Sequence, residues 1–239
     1  MSNFGYQDII TKLKEIETMG FVKTHRKGPT GIGKTLEDLL GIKENNFPGP
    51  DTKEMELKSA RKNSTSMLTL MTKTPMPKDA IAYLLKRYGY PSSSGQTHLH
   101  YTLSAVNFTG PKGKNELKVV VDKEVKIMTN NGEVMGFWKP EILREAFEKK
   151  YPNGGLLYVK ADNKGRGVNE EFHFNEAYVL KGFNYTQFVE MIKTDSIKVD
   201  LRLGLYSDGR THDHGTGFRI PLDKFELAFA EREEVMSQQ

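Results

Sequence analysis

Apolar residues recur along the chain with two periods, one typical of helices and one typical of strands. Ile9, Leu13 and Ile16 follow the helical period and predict an amphipathic helix near the N-terminus. The same period predicts further helices near Lys34–Leu40, Ile81–Tyr88, Pro140–Phe147 and Tyr185–Ile192. Alternation or short apolar runs predict strands at Glu54–Ser59, Met67–Met71, Leu117–Asp122, Lys123–Met128, Val134–Trp138, Leu156–Ala161, Glu170–Leu180 and Lys198–Tyr206. This order predicts an α+β fold with two lobes, of which the second is rich in strands.

Three charged residues lie close together at the first predicted strand: Asp51, Glu56 and Lys58. Glu56 and Lys58 are separated by one residue, so on a strand both side chains project from the same face, while Leu57 points into the core. A Pro-Gly-Pro bend just before Asp51 could return its carboxylate to Glu56. Carboxylates that hold Mg²⁺, beside a lysine, are what metal-dependent phosphodiester hydrolysis requires. The same spacing also fits an edge strand with a solvated charged face.

Composition and charge narrow the class of protein. Hydrophobic residues make up 37% and charged residues 28% of the chain, ordinary values for a globular protein. The absence of cysteine excludes disulfides and thiolate metal sites and fits a cytoplasmic protein. No signal-peptide core and no membrane-spanning apolar run is evident, so no membrane partner is expected. The net charge is only +4, but residues 21–35 and 57–78 contain cations and no acid. These stretches flank the acidic cluster and predict a polyanionic partner.

A glycine-rich stretch offers a competing interpretation. Residues Gly28–Thr35 match the P-loop pattern G-x4-G-K-[ST], and Val119–Asp122 resembles a Walker-B strand. A P-loop must follow a buried apolar strand, however, and residues Val22–Lys27 are too polar for that role. No series of βαβ units follows either. A P-loop ATPase is therefore the minor alternative, and the stretch is expected to turn into the helix that carries Glu37.

Three blocks of sequence resemble one group of enzymes. The first is Lys27–Gly41 followed by Asp51, Glu56 and Lys58, and the other two are Ile197–Tyr206 and Thr211–Ile220. Weaker matches lie between them at Leu68–Leu70, at Lys73 with Pro75, and at Arg87–Gly89. Together they resemble the MvaI/BcnI restriction endonucleases, relatives of the mismatch-repair nicking enzyme MutH. The resemblance spans nearly the whole chain, and its far end is most similar to the MvaI branch.

The resemblance implies a restriction-endonuclease-like fold, with a mixed sheet flanked by helices and two lobes around a DNA cleft. Residues 1–112 would form the catalytic lobe and residues 113–239 the DNA-recognition lobe. Asp51 and Glu56 match the metal-ligand carboxylates, and Lys58 matches the catalytic lysine. Glu37 matches an acidic helix position that lies near the metal in MutH-like sites; a solvent-facing helix acid is the equal alternative. Mg²⁺ is the implied cofactor, and Mn²⁺ or Ca²⁺ could substitute for it in binding.

The two C-terminal blocks imply a set of DNA contacts. The residues that match base-reading positions are Arg202, His212, Asp213, His214 and Arg219, and Lys73 is expected as a further DNA contact. Arginine can donate two hydrogen bonds to guanine, and aspartate can accept one from the amino group of cytosine. Two alternatives remain: a Zn²⁺ site at His212–His214, and a surface ion pair between Arg202 and Asp200.

The resemblance also bears on the target. Enzymes of the BcnI branch place histidines from two loops on a central G/C pair, and the matching positions here are Thr72 and Gly217. The implied activity is a type II restriction endonuclease that cuts a CCWGG-like duplex site, W being A or T, as a monomer and one strand at a time. A cognate DNA methyltransferase would protect the host without forming a stable complex. A MutH-like nicking endonuclease that depends on partner proteins is the alternative.

Overall fold

The computed structural model describes residues 6–42, 55–93, 95–152, 155–206 and 208–237. The helices in these ranges are α1 Tyr6–Thr18, α2 Gly31–Leu40, α3 Ala80–Tyr88, α4 Pro140–Lys150, α5 Tyr185–Lys193 and α6 Leu222–Phe225. The strands are β1 Val22–Lys23, β2 Glu56–Arg61, β3 Leu68–Thr72, β4 Tyr90–Pro91, β5 Thr97–Leu103, β6 Leu117–Val121, β7 Val125–Thr129, β8 Val134–Trp138, β9 Leu156–Lys164, β10 Glu171–Lys181, β11 Lys198–Leu205, β12 Thr211–Asp213, β13 Gly217–Ile220 and β14 Glu231–Met236. In the described part of the chain, no helix is long and apolar enough to cross a membrane.

The chain folds into two compact units, each assembled from separate stretches of sequence. Unit 1 comprises Met1–Ser66, Glu148–Asn184 and Glu226–Gln239. Unit 2 comprises Met67–Phe147 and Tyr185–Phe225. The division into a catalytic lobe over residues 1–112 and a recognition lobe over 113–239, and the DNA cleft between them, stay predictions.

Unit 1 contains a mixed five-stranded sheet. Its strand order is β1-β10-β9-β2, and β14 pairs with β10. Strand β2 runs parallel to β9, whereas the other neighbours are antiparallel. Helices α1 and α2 supply Leu13, Leu36 and Leu40 to a buried apolar cluster that includes Leu57 of β2. Full burial of each such side chain contributes roughly 1.5–3 kcal/mol of transfer free energy. Because Leu57 faces this cluster, its neighbours Glu56 and Lys58 project from the other face of the sheet.

Helix α2 begins three residues earlier than the sequence predicts. Glycine is a poor helix former, yet α2 begins at Gly31 rather than at Lys34. A Cβ at Gly31 would lie 2.2 Å from the carbonyl oxygen of Arg26, so only glycine fits where this turn packs. The helix ends as predicted, before Gly41, which adopts a left-handed conformation with φ 74°.

Unit 2 contains two antiparallel sheets. One has the strand order β3-β13-β11-β5-β4, with β12 also paired to β11, and the other is the meander β6-β7-β8. Strand β11 alternates as predicted: Val199, Leu201 and Leu203 are fully buried. Asp200 and Arg202 lie on its other face, which is polar. The mixed sheet of unit 1, the helices and these antiparallel sheets confirm the predicted α+β class.

Candidate functional site

Strand β2 brings Glu56 and Lys58 together on one face of the unit 1 sheet. Glu56 is fully buried, with a relative exposure of 0%. The ammonium group of Lys58 donates a hydrogen bond to Oε1 of Glu56 over 2.6 Å. The one-residue spacing therefore produces the contact that it predicts, and a solvated Glu56 is excluded.

A second lysine binds the same carboxylate. Lys150, the last residue of α4, donates to Oε1 of Glu56 over 2.7 Å. Two ammonium groups thus surround one buried carboxylate oxygen, which offsets the cost of removing that charge from water. Sequence reasoning missed Lys150 because a lysine in the last turn of a helix is already explained by the helix dipole. No local motif links it to Glu56.

The other predicted metal ligand, Asp51, lies outside the described residues. Across the ranges that are described, no three His, Asp or Glu side chains converge as a metal site. The donor chemistry of Glu56 nevertheless fits a hard divalent cation, because carboxylate oxygens are the ligands that Mg²⁺ prefers. Both ammonium groups, those of Lys58 and Lys150, lie at Oε1 of this carboxylate.

Glu37 lies on the part of α2 that packs near β2. Its side chain is half-buried. Gly33 lies one turn earlier in α2, and a Cβ built on it would lie 3.9 Å from Oε1 of Glu37. The hydroxyl oxygen of Ser59, in β2, lies 3.8 Å from the same position. Glu37 therefore borders the strand that carries Lys58, and its role beside a metal stays a prediction.

The glycine-rich stretch does not have P-loop geometry. The preceding strand β1 has only two residues and pairs antiparallel with β10. Thr35 is fully buried and its hydroxyl donates to the carbonyl oxygen of Gly31, while Lys34 pairs with Asp38. The two side chains that a P-loop directs toward nucleotide phosphates are thus engaged within the helix. The ATPase alternative therefore lacks structural support.

Arg61 of β2, which forms an ion pair with Glu170, also holds the glycine-rich stretch by hydrogen bonds. Arg61 donates to both carboxylate oxygens of Glu170, over 2.6 and 2.7 Å. Its guanidinium also reaches the carbonyl oxygens of Pro29 and Gly28, over 3.2 and 3.3 Å. Hydrogen bonding to Arg61 holds the pKa of Glu170 below its usual value despite burial.

The predicted base-reading residues gather on the polar face of the large unit 2 sheet. Arg202 lies on β11, His212 on β12 and Arg219 on β13, and β11 is paired with both other strands. His214 follows β12 directly, and its backbone N–H donates to the carbonyl oxygen of Arg202 over 2.8 Å. Four of the residues that the sequence nominated for DNA contact therefore share one surface.

Asp200 holds two of these arginines. It is only 2% exposed, and its Oδ2 accepts hydrogen bonds from Arg202 over 2.8 Å and from Arg219 over 2.9 Å. Thr102 of β5 donates to Oδ1 over 2.7 Å. Burial alone would raise the pKa of Asp200, but these hydrogen bonds outweigh it and lower the pKa below its usual value. The ion pair that the sequence suggested for Arg202 is present, and Arg219 shares it.

Side chains of the His212–His214 segment are engaged by neighbouring residues of the protein. Oδ1 of Asp213 accepts from the backbone N–H groups of Gly215 and Thr216, over 2.9 and 2.6 Å. The ring of His212 stacks on Tyr206 at 4.1 Å between centroids. Burial, followed by the neighbouring His214, lowers the pKa of His212. The Zn²⁺ alternative finds no cluster of ligands within the described ranges.

Lys73 and the two positions of the central-base comparison are neighbours. Thr72 of β3 and Gly217 of β13 are partners in the antiparallel register. The backbone of Lys73 is fixed from both sides, since its N–H donates to Thr216 and its carbonyl accepts from Trp138. The sequence placed these positions in separate blocks, and the sheet brings them together.

Strand β5 adds two histidines that the sequence analysis did not single out. His100 pairs in register with Arg202, and His98 pairs with Gly204. Their ring centroids lie 4.8 Å apart, and His100 lies 6.3 Å from His214. The alternation of polar and apolar residues over Thr97–Leu103 was the signal that could have predicted this strand.

Comparison with known proteins agrees with this geometry. The MvaI/BcnI restriction endonuclease family matches residues 10–229. A restriction endonuclease MvaI–cognate DNA substrate complex is similar with a TM-score of 0.84 and 29% identity, covering 98% of this chain and 100% of that one. MvaI in the absence of DNA is similar with a TM-score of 0.58 and 28% identity, covering 99% and 100%. A search of curated proteins found no match. The chain belongs to the MvaI/BcnI restriction endonuclease family and is a site-specific deoxyribonuclease.

Proposed function

We propose that this enzyme hydrolyses DNA phosphodiester bonds at a short duplex site of the CCWGG type, with Mg²⁺ as its cofactor. It would act as a monomer and cut one strand per binding event. The observation that carries the proposal is the buried Glu56 carboxylate on β2, with Lys58 and Lys150 donating to the same oxygen. A structural edge strand has no need of a fully buried acid held by two lysines.

Restriction endonucleases of this family generally use a divalent metal ion. Asp51 and Glu56 would hold it, and when bound it supplies positive charge for the phosphate oxygens. Lys58 then has two tasks that its position supports. Its ammonium orients the attacking water, and it offsets negative charge that develops on the phosphate. Burial of Glu56 limits competing solvent, which strengthens each of these electrostatic interactions.

Lys150 contributes a second fixed positive charge to the same place. Because its ammonium lies 2.7 Å from Oε1 of Glu56, it restrains the carboxylate in one orientation. A carboxylate held in this way needs less reorganisation when the phosphate and cation arrive. Lys150 therefore acts through Glu56, as a positioning residue.

The proposed target rests on the residues of the large unit 2 sheet. Arg202 and Arg219 offer the donor pairs that guanines accept, and Asp200 orients both. Thr72 and Gly217 face each other across β3 and β13, and neither carries the imidazole expected of a G/C-centred reader. The solved relative MvaI binds its cognate DNA substrate, and a similar use of this chain is part of the proposal.

Digestion of a plasmid with the purified protein and Mg²⁺, followed by sequencing of the ends, tests the proposal. We expect breaks at CCWGG sites without ATP or partner proteins, and a nicked form that accumulates before the linear form. Asp51→Ala should abolish cleavage while leaving specific binding intact. Breaks at other sites would overturn the target assignment. Cleavage by Asp51→Ala at the wild-type rate would overturn the assigned metal ligand, and dependence on a partner protein would favour a MutH-like nicking enzyme.

A further inference from the structure

We infer that His100 is a further base-reading residue, and that His98 positions it. The inference rests on the proposed function, because it assumes that the polar face of the large unit 2 sheet contacts the target. It adds to the proposed recognition surface strand β5, which lies outside the three sequence blocks.

The register of the sheet places His100 among the predicted base readers. His100 is the cross-strand partner of Arg202, so the two side chains emerge on the same face of neighbouring strands. On the side of β11 opposite to β5, the backbone N–H of His214 donates to the carbonyl oxygen of Arg202. The ring of His100 lies 6.3 Å from that of His214, so the two imidazoles flank Arg202. His100 is exposed, and a DNA segment that contacts Arg202 and His214 would therefore meet it as well.

A glycine makes room for this array of rings. A Cβ at Gly204 would lie 2.8 Å from Nε2 of His212 and 3.5 Å from Nε2 of His214. Because Gly204 has no Cβ, the imidazoles of His212 on β12 and of His214 just after it can pack directly over β11. The His214 ring then approaches His100 on β5. The distance between the rings of His212 and His214 is 3.9 Å between centroids. One continuous imidazole surface results, with Gly204 beneath it.

The charge state of His100 suits base edges. Although the residue as a whole is exposed, partial burial of its ring is the main cause that lowers the pKa of His100. Repulsion from His98, Arg202 and His214 acts in the same direction, and the attraction of Asp200 does not cancel this. A neutral imidazole presents one N–H donor and one nitrogen acceptor. That pair can read the acceptors and donors of a base edge, whereas a phosphate accepts hydrogen bonds only.

His98 and Tyr90 support His100 from behind. The ring of His98 lies 4.8 Å from His100 and meets Tyr90 edge-on at 4.4 Å. Tyr90 is itself fixed to this strand, because its hydroxyl donates to the carbonyl oxygen of His100 over 3.1 Å. His98 is half-buried, so it acts on DNA through the orientation of His100.

Binding selectivity tests the inference. Dissociation constants would be measured, with Ca²⁺ in place of Mg²⁺, for a CCWGG duplex and for duplexes with each base pair substituted in turn. We expect His100→Ala to lose roughly 5- to 100-fold of discrimination at one base pair and to keep it at the others. His98→Ala should lose less at the same base pair. His173→Ala, a histidine of unit 1 whose Nε2 lies 3.2 Å from the carbonyl oxygen of Glu17, is the matched control and should leave selectivity unchanged.

Three results would overturn the inference in distinguishable ways. If wild-type protein discriminates among the duplexes and His100→Ala has the same profile with an unchanged melting temperature, only the role of His100 fails. If wild-type protein does not discriminate at all, the proposed target fails together with it. Loss of affinity spread evenly over all duplexes would also exclude base reading, since a phosphate contact weakens every sequence alike.

Discussion

Lys150 and Lys58 donate to the same oxygen of Glu56. Lys58 lies on the same strand as Glu56, whereas Lys150 ends helix α4, which is far from Glu56 in the sequence. We predict that Lys150→Ala lowers the cleavage rate by roughly 10-fold or more, because the carboxylate loses a fixed donor in a buried position. Specific DNA binding without Mg²⁺ should change little. Single-turnover cleavage and binding titrations on the same preparation measure the two quantities.

Lys149→Ala is the matched control for this prediction. Lys149 is the exposed neighbour of Lys150 in the last turn of α4 and carries the same charge, whereas it is the ammonium of Lys150 that lies 2.7 Å from Oε1 of Glu56. We expect near wild-type cleavage from Lys149→Ala and partial recovery from Lys150→Arg. Equal losses in the Lys149 and Lys150 variants would mean that only the overall charge matters.

Of the two lysines that contact Glu56, only Lys58 could be predicted from the sequence. The contact between Glu56 and Lys58 follows from the period of a strand, which is local and independent of the rest of the fold. The contact with Lys150 depends on where α4 ends relative to β2, and no local pattern carries that information. Asp51 was predicted from its spacing and lies outside the described residues, so its position beside Glu56 stays a prediction.

Asp200 holds both of the arginines that are proposed to read guanines. We predict that Arg219→Ala loses about 1–3 kcal/mol of discrimination at one guanine. Asp200→Asn should weaken discrimination at two base pairs at once, because Arg202 and Arg219 share its Oδ2. Competition binding against substituted duplexes measures both. A loss confined to one base pair in Asp200→Asn would contradict a shared anchor.

The ion pair of Arg61 and Glu170 predicts a pH-dependent stability. The pKa of Glu170 is lowered from its usual value of 4.5. A carboxyl group with a lowered folded-state pKa binds fewer protons in the folded state, so its contribution is complete above the unfolded pKa. That contribution is lost as the pH falls through the folded pKa. We therefore expect the free energy of unfolding to fall as the pH drops below 4.5.

Glu170→Gln tests this prediction. The variant should be less stable at pH 7 by about 2–4 kcal/mol, because it leaves Arg61 half-buried without a bidentate partner. Its stability should also depend less on pH in the acid range. Glu171→Gln is the control: its ion pair with Lys164 is more exposed, and its loss should cost under about 1 kcal/mol. Urea denaturation at several pH values compares the three proteins. A parallel pH dependence in wild type and Glu170→Gln would exclude Glu170 as its source.

The surface proposed for DNA recognition was predictable only where its residues lie in the sequence blocks that resemble the family. Arg202, His212 and Arg219 came from two such blocks, and β11 and its partner strands place them on one face. His98 and His100 lie in β5, a strand with few apolar residues, so the alternation that could predict it is a weak signal. Their proximity to Arg202 is a consequence of pairing between β5 and β11, which joins residues far apart in sequence. Strand β14 was missed for a similar reason, since Glu231–Met236 is mostly charged.

Gly204→Ala should change recognition without unfolding the protein. The added Cβ would approach Nε2 of His212 to 2.8 Å and Cε1 to 3.1 Å, closer than packed atoms allow. The contacting atoms belong to the far end of a side chain, so His212 can rotate away at small cost to stability. Its stacking on Tyr206 would be lost, and with it the ring orientation on which the proposed DNA contact depends. We expect a melting temperature within a few degrees of wild type, together with weaker discrimination at one base pair, the one that His212 is proposed to read.

A double-mutant cycle separates this effect from a general disturbance of the sheet. If Gly204 acts by leaving room for His212, Gly204→Ala should reduce selectivity in the wild-type background and have almost no further effect in His212→Ala. Binding to the target and to the substituted duplexes would be measured for all four proteins. Additive losses in the double variant would mean that the methyl group acts on β11 itself or on His214, whose Nε2 lies 3.5 Å from the same position. A methyl group that leaves selectivity intact would show that the His212 ring can contact DNA from another orientation.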